Sequence, residues 1–309
     1  MKLGLQIVRF DWPGTPDNTG QVLSEVARTA DRAGFSSLWC MDHFYQIGIG
    51  HGSEDSPMHE SYTNLSFMAA ATRNVKLGTM VTGSFYRHPG VLVKMVTTLD
   101  VLSGGRAVLG IGAGWNEKES RGLGVPFPTL KTRYEMLEEA LQIAHHMWRD
   151  DRTSFEGKYY RLEEPICSPQ PISRPHPTIL VGGEGERKTA RLTAKYGDAC
   201  NWVLGTPLKE FTQWHNDLFK GRKERLRRKV TALKKRCEEV GRDFYEIELT
   251  VLGPVRIGED AMTPSFMVET CRELSELGIS HYIFNMANSH EITPIEVIGE
   301  EVIPEVKAL

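Results

Sequence analysis

The chain has 309 residues, 40% of them hydrophobic and 25% charged, with a formal charge of -3 at neutral pH. This mild negative balance provides no field to draw nucleic acid or an anionic membrane surface, and no apolar run approaches the roughly 20 residues of a membrane span. The length suits one α/β barrel, an architecture that takes about 250 residues.

Five cysteines, Cys40, Cys167, Cys200, Cys237 and Cys271, are widely spread and include no C-x-x-C pair. Neither a disulfide framework nor a zinc site is indicated, and no metal is expected. The start, MKLGLQIVRF, is charged and turns polar at Asp11, unlike a signal peptide. A reducing cytoplasm is the expected compartment.

Residues 2–8 read as a first strand, with Gln6 and Phe10 near its carboxyl end. Residues 21–33 follow as a helix whose Val22, Val26, Ala30 and Ala33 share a face, and Gly34 stops it. Residues 36–40 form a second strand leading into Met41, Asp42, His43 and Phe44. The loop at 48–61, GIGHGSEDSPMHES, is long enough to be a lid. A short helix at 63–72 and a strand at 75–81, ending in Thr79, Met80 and Val81, come next. Pro89 opens a helix, with Val91, Met95, Leu99 and Leu102 expected on its buried face.

Gly104 and Gly105 stop that helix, and the apolar run at 107–112 is short enough for a strand buried on both faces. Its carboxyl end carries Gly110, Gly112, Gly114, Trp115, Glu117 and Glu119. A dinucleotide turn needs G-x-G-x-x-G, and the third glycine position holds Trp115 counted from Gly110 or Glu117 counted from Gly112. That motif is therefore absent. From Leu130 an amphipathic helix runs through Tyr134, Leu137, Leu141, Ala144 and Trp148. His145 and His146 lie on it outside any H-E-x-x-H frame and are expected on the helix surface.

Residues 150–177 interrupt the alternation with a hairpin turned at Gly157 and a proline-rich connector. Strands at 178–181, 199–204, 248–255 and 282–285 then alternate with helices at 186–196, 207–241, 263–277 and 294–306. Ten of the seventeen residues at 220–236 are Lys or Arg, which reads as a solvated helix face. Eight strand–helix units without an internal linker predict a single domain over 1–309, a (β/α)8 TIM barrel with an inserted hairpin and an extended helical region.

In such a barrel the carboxyl ends of the strands converge on one mouth. Asp42 and His43, Thr79 to Ser84, Gly110 to Glu119, Gly182 to Gly185, Trp202 and Asn285 all fall at strand ends. Asp42 and His43 could form an acid–base pair, or point apart with His43 bonded in the core. Gly182, Gly183, Glu184 and Gly185 open a helix and precede Arg187 and Lys188, which suits a bound phosphate or carboxylate.

The ordered set LWCMDHF, VKLGTMVTGSFYRHPGVLVKMVTTLDVLSGGRAVLGIGAGWNEKE, GVPFP and ILVGGEGERKT resembles the luciferase-like monooxygenase superfamily. Within it the chain is most similar to the oxidoreductases that use the deazaflavin coenzyme F420. The resemblance implies an enzyme that moves a hydride between F420 and a small organic substrate, with a flavin (FMN) monooxygenase as the alternative. It implies His43 and Asp42 as catalytic groups, with Asp42 also touching the cofactor. Thr79, Met80, Val81, Gly112, Gly114, Trp115 and the turn from Gly182 to Gly185 would complete the cofactor site. Trp115, Glu119 and Trp202 would line the substrate pocket. A non-proline cis peptide near Met80–Val81 is implied behind the ring, and a homodimer is implied as the assembly.

Relatives that oxidise sugar phosphates place a general-acid glutamate where this chain has Trp115, so that reaction is not expected unless Glu117 or Glu119 substitutes. The oligoglutamate tail of F420 would offer the basic run at 220–236 a ligand. A barrel hydrolase without a redox cofactor and a cofactor-binding protein without turnover are the remaining readings.

Overall fold

The computed structural model describes residues 1–48, 52–204, 214–258 and 261–309, with the side chains of 214–220 left aside. β1 (Lys2–Ile7) leads into α1 (Thr19–Ala33), and β2 (Ser37–Cys40) into α2 (Ser61–Ala71). The third strand position is split into β3 (Lys76–Thr79) and β4 (Thr82–Gly83), ahead of α3 (Pro89–Ser103). β5 (Ala107–Gly112) is followed by a short α4 (Glu117–Gly122) and a long α5 (Leu130–Trp148). The antiparallel hairpin of β6 (Phe155–Glu156) and β7 (Arg161–Leu162) comes next. The alternation then resumes with β8 (Thr178–Gly182), α6 (Lys188–Tyr196), β9 (Ala199–Val203) and α7 (Trp214–Val240). β10 (Glu248–Pro254), α8 (Pro264–Ser275), β11 (His281–Asn285), α9 (Thr293–Val297) and α10 (Ile303–Val306) follow.

The sheet runs β3-β2-β1-β11-β10-β9-β8-β5-β4, and a further pairing of β3 with β5 closes it. Every neighbouring pair in it is parallel, so this is the eight-stranded barrel expected from the alternation. Strand residues alternate between two packed regions. Trp39, Met80, Val108, Leu180, Ala199 and Ile283 fill the inside of the barrel. Leu38, Leu77, Leu109, Ile111 and Val181 face outward into the continuous core beneath the helices.

The split in the third strand is the departure that shapes the mouth. The Met80–Val81 peptide bond is cis, as the resemblance implies. Gly110 makes the break possible: a Cβ there would lie 1.8 Å from the Thr79 carbonyl oxygen.

Several expectations need correcting. On α3 the buried face is Leu92, Val93, Val96 and Leu99, whereas Val91 and Leu102 are 56% and 72% exposed. α3 packs against α2, α5 and β5 together, so apolar residues on two sides of the helix obscure which stripe turns inward. The segment after Trp115 is helical rather than a plain loop, started by Asn116, whose side chain accepts from the Glu119 N–H. His145 and His146 are half-buried, not surface groups, because each reaches a backbone carbonyl, Tyr196 and Thr153 respectively. All five cysteines are buried and unpaired. Residues 49–51 of the expected lid and 207–213 of the expected helical region lie outside the described residues. Beyond them, Glu60 caps α2 rather than forming part of a lid.

Candidate active site

A cavity of about 520 Å³ opens at the carboxyl ends of the barrel strands. All eight strand positions contribute to it, including Gln6, His43, Val81, Gly114, Gly182, Asn201, Leu252 and Asn285. The cis bulge sets its floor. The Val81 side chain lies where a Cβ on Gly112 or Gly182 would come within 2.9 or 2.8 Å of it, so both positions stay bare backbone. A flat ligand could therefore approach the peptide planes on that side.

His43 lines the cavity, and its Nδ1 lies 2.6 Å from Glu119 Oε1. The other Glu119 oxygen accepts from the Phe44 N–H at 2.9 Å, and the Tyr86 hydroxyl donates to Oε1 at 2.5 Å. Burial alone would raise the Glu119 carboxyl, but the bonds from His43, Tyr86 and Phe44 outweigh it and hold the group below the usual carboxylate range. Burial, with Glu119 as its acceptor, pushes the Tyr86 phenol well above its ordinary value, so it stays protonated. Trp115 meets the His43 ring edge-on with centroids 5.3 Å apart, and is itself 55% exposed.

Asp42 also borders the cavity, but its carboxylate is committed elsewhere. Arg87 grips it in a fork at 2.6 and 2.9 Å, and the Ser61 hydroxyl donates at 2.6 Å. The same guanidinium reaches Glu60 and sits 4.9 Å from the Tyr62 ring centroid. Although burial opposes its charge, the Asp42 bond keeps Arg87 raised above its ordinary value and charged. Asp42 and His43 are thus not an acid–base pair. The carboxylate partner of His43 is Glu119, seventy-six residues away.

Other expected residues divide the same way. Met80, Val81, Gly112, Gly114, Trp115, Gly182, Gly183 and Glu184 line the cavity. Glu119 does not line it, being buried behind His43. Trp202 is not a pocket residue either: strand alternation turns Asn201 and Val203 toward the cavity and the indole into the outer core. Thr79 lies beneath the floor, donating to the Gly110 carbonyl and sharing a hydrogen bond with Thr82. Gly185 stands back from the cavity against Thr189 and Tyr134.

The turn at 182–185 is braced by α7. Lys229 is 3% exposed, and its ammonium bonds the Glu184 carbonyl at 2.7 Å and carboxylate at 2.9 Å. Arg225 of the same basic run donates to the Val203 carbonyl at the cavity edge, and Arg228 lies 3.6 Å from Glu186. Part of the run therefore packs on the barrel rather than facing solvent. Lys188 lies over the Tyr134 ring at 5.1 Å, and Arg187 is exposed beside it. Among the described residues no cluster of His, Cys, Asp and Glu could hold a metal ion.

The luciferase-like monooxygenase family profile matches residues 1–263. The chain belongs to the luciferase-like monooxygenase family. Within that family it is 30% identical, over 90% of its length and 77% of the relative, to an F420-dependent glucose-6-phosphate dehydrogenase of Kineococcus radiotolerans. An FMNH(2)-dependent dimethylsulfone monooxygenase of Pseudomonas putida is 31% identical over 52% of this chain and 42% of that one. The fold matches the F420-dependent tetrahydromethanopterin reductase of Methanopyrus kandleri with a TM-score of 0.75, covering 99% of both chains at 16% identity.

Proposed function

We propose that this chain is an oxidoreductase that moves a hydride between coenzyme F420 and a small organic substrate. The observation that carries the reading is the bare-backbone floor around the cis bulge, with a carboxylate-held histidine at its edge. The match to F420-dependent dehydrogenases along nearly the whole chain supports the choice of cofactor.

The residues present fit a flat heterocycle. Gln6 donates its amide N–H to the Met80 carbonyl, which fixes the flip, and its Oε1 is buried without a protein partner. That oxygen would accept an N–H from the ring edge. Met80, Val81, Gly112 and Gly182 would hold the ring face, with Asp42 and Trp115 at its border. The backbone of Gly182 to Gly185, at the start of α6, would take the phosphate of the ribityl arm, with Arg187 and Lys188 adding charge. When bound, a deazaflavin gives or takes a hydride, two electrons at a time.

His43 handles the matching proton. In alcohol oxidation its Nε2 takes the hydroxyl proton as the hydride leaves carbon, and in carbonyl reduction the protonated ring returns it to oxygen. Ile47, Trp115, Leu130 and Tyr134 offer apolar wall for the substrate. Among the described residues no Lys or Arg lines the cavity, so a phosphorylated sugar finds no counter-charge there. The second reading, an FMN-dependent monooxygenase, rests on the dimethylsulfone monooxygenase match.

The enzyme would act in the cytoplasm, where its five unpaired cysteines stay reduced. Among the described residues no helix is long and apolar enough to cross a membrane. The exposed Val91 and Leu102 of α3 suit self-association as a homodimer, which light scattering would read directly.

Titration with F420 and separately with FMN, followed by cofactor fluorescence and tryptophan quenching, tests the reading. Tight F420 and weak FMN binding is expected, and the reverse order would transfer the chain to the monooxygenases. His43→Ala should bind F420 within about threefold of wild type yet lose about 100-fold or more in kcat, the scale of lost acid–base catalysis. Wild-type turnover in that variant would remove His43 from the chemistry.

A further inference from the structure

We infer that Glu119 is the positioning residue for His43, holding the ring from behind in the tautomer whose Nε2 faces the cavity as a bare lone pair. This deepens the hydride-transfer reading and rests on it only for the role of His43 in turnover.

The geometry is that of an anion surrounded by donors. Glu119 Oε1 accepts from His43 Nδ1 at 2.6 Å and Tyr86 hydroxyl at 2.5 Å, while Oε2 accepts from the N–H groups of Phe44 at 2.9 Å and Tyr45 at 3.3 Å. The side chain is fully buried. A neutral carboxyl would turn an O–H against one of these donors, so the site is built for the ionised form. An ionised carboxylate only accepts, so the proton on neutral His43 must sit on Nδ1. Nε2 is then a base when the ring is neutral and an acid when it is charged, which both directions of hydride transfer require. Because Oε2 holds the backbone directly after His43, the carboxylate fixes the segment as well as the ring.

Tyr86 donates to the same carboxylate from the connection after β4. Asp42 precedes His43 in the chain but is bonded to Arg87 and Ser61. Trp115 closes the remaining side with an uncharged ring edge.

The test is nitrogen NMR of histidine-labelled, cofactor-free protein, combined with turnover measurements. Wild-type His43 should show the Nδ1–H tautomer, and Glu119→Gln should show a mixture. In that variant turnover should fall at least about tenfold, with F420 affinity within about threefold and partial recovery in Glu119→Asp. Tyr86→Phe should keep the Nδ1–H tautomer, because the carboxylate loses a competing donor but stays ionised as the acceptor. A role confined to packing would leave the tautomer in Glu119→Gln as it is in wild type. An Nε2–H tautomer in wild type, or an unchanged wild-type tautomer in Glu119→Gln, overturns the inference. Should Glu119→Gln not fold, the wild-type tautomer still decides it. The NMR readout needs no cofactor, so its outcome stands apart from the F420 titration.

Discussion

At Gly110 a single hydrogen in place of a side chain allows the third strand to break, since a Cβ there would meet the Thr79 carbonyl oxygen at 1.8 Å. The obstacle is backbone, so it cannot rotate away. Gly110→Ala should therefore cost stability at or above the upper end of the about 1–3 kcal/mol typical of overpacking. Urea unfolding would read this, and an unchanged midpoint would mean that the break can shift at no cost. Trp202 and Glu119 show where residue-level expectation failed. Both stand at or near strand ends, yet one turns into the outer core and the other sits behind the histidine. An indole in a strand whose two faces are both covered gives no sign of which face it takes.

Among the elements, α7 shows how a charge run can have a defined task. The spacing of Arg225, Arg228 and Lys229 puts cations beside the turn at 182–185, and Lys229 is buried against Glu184. Lys229→Met removes two bonds to that residue and leaves its carboxylate with the Val203 N–H. We expect F420 affinity to drop about fivefold and stability to fall by about 1 kcal/mol, the net worth of a hydrogen bond to a partly exposed acceptor. Fluorescence titration and urea unfolding check the two parts, and full retention of both would show that the turn holds itself. α4 was hidden for a different reason. Its six residues are too few for a periodic signal, and its first turn of acids resembles a polar loop. The Asn116 cap before Glu117 was the available sign.

For the whole molecule, the amino-terminal ends of the strands affect stability as the carboxyl ends affect chemistry. His281, at the start of β11, is buried beside Ser37, which also accepts from the Trp39 indole. Burial, with Lys2 adding to it and Glu248 opposing, lowers its pKa from 6.5 to about 4. Between those values the unfolded chain takes up a proton that the folded chain refuses, so stability falls as the pH drops from 6.5 toward 4. The full loss is on the order of 3 kcal/mol. Unfolding midpoints at pH 7 and 4.5 measure it, and His281→Gln should flatten the difference. An equal slope in the variant would assign the acid sensitivity to other groups.

The barrel was legible in the chain because its signals are local. Apolar runs of strand length alternate with amphipathic stretches, glycine stops mark the ends of α1 and α3, and 107–112 agrees residue for residue with β5. The cavity floor was legible too, as glycines clustered after buried runs, although the position of the cis bond came from resemblance. The pairing of His43 with Glu119 and of Asp42 with Arg87 was not. Those partners are 76 and 45 residues apart, and neither spacing marks them. Sequence neighbours suggested Asp42 as the histidine's carboxylate, but the backbone turns consecutive side chains apart at a strand end. Barrel closure then brings a buried glutamate from another unit to the ring. Periodicity registers which face of an element is apolar, whereas a partnership between side chains depends on where closure puts the elements.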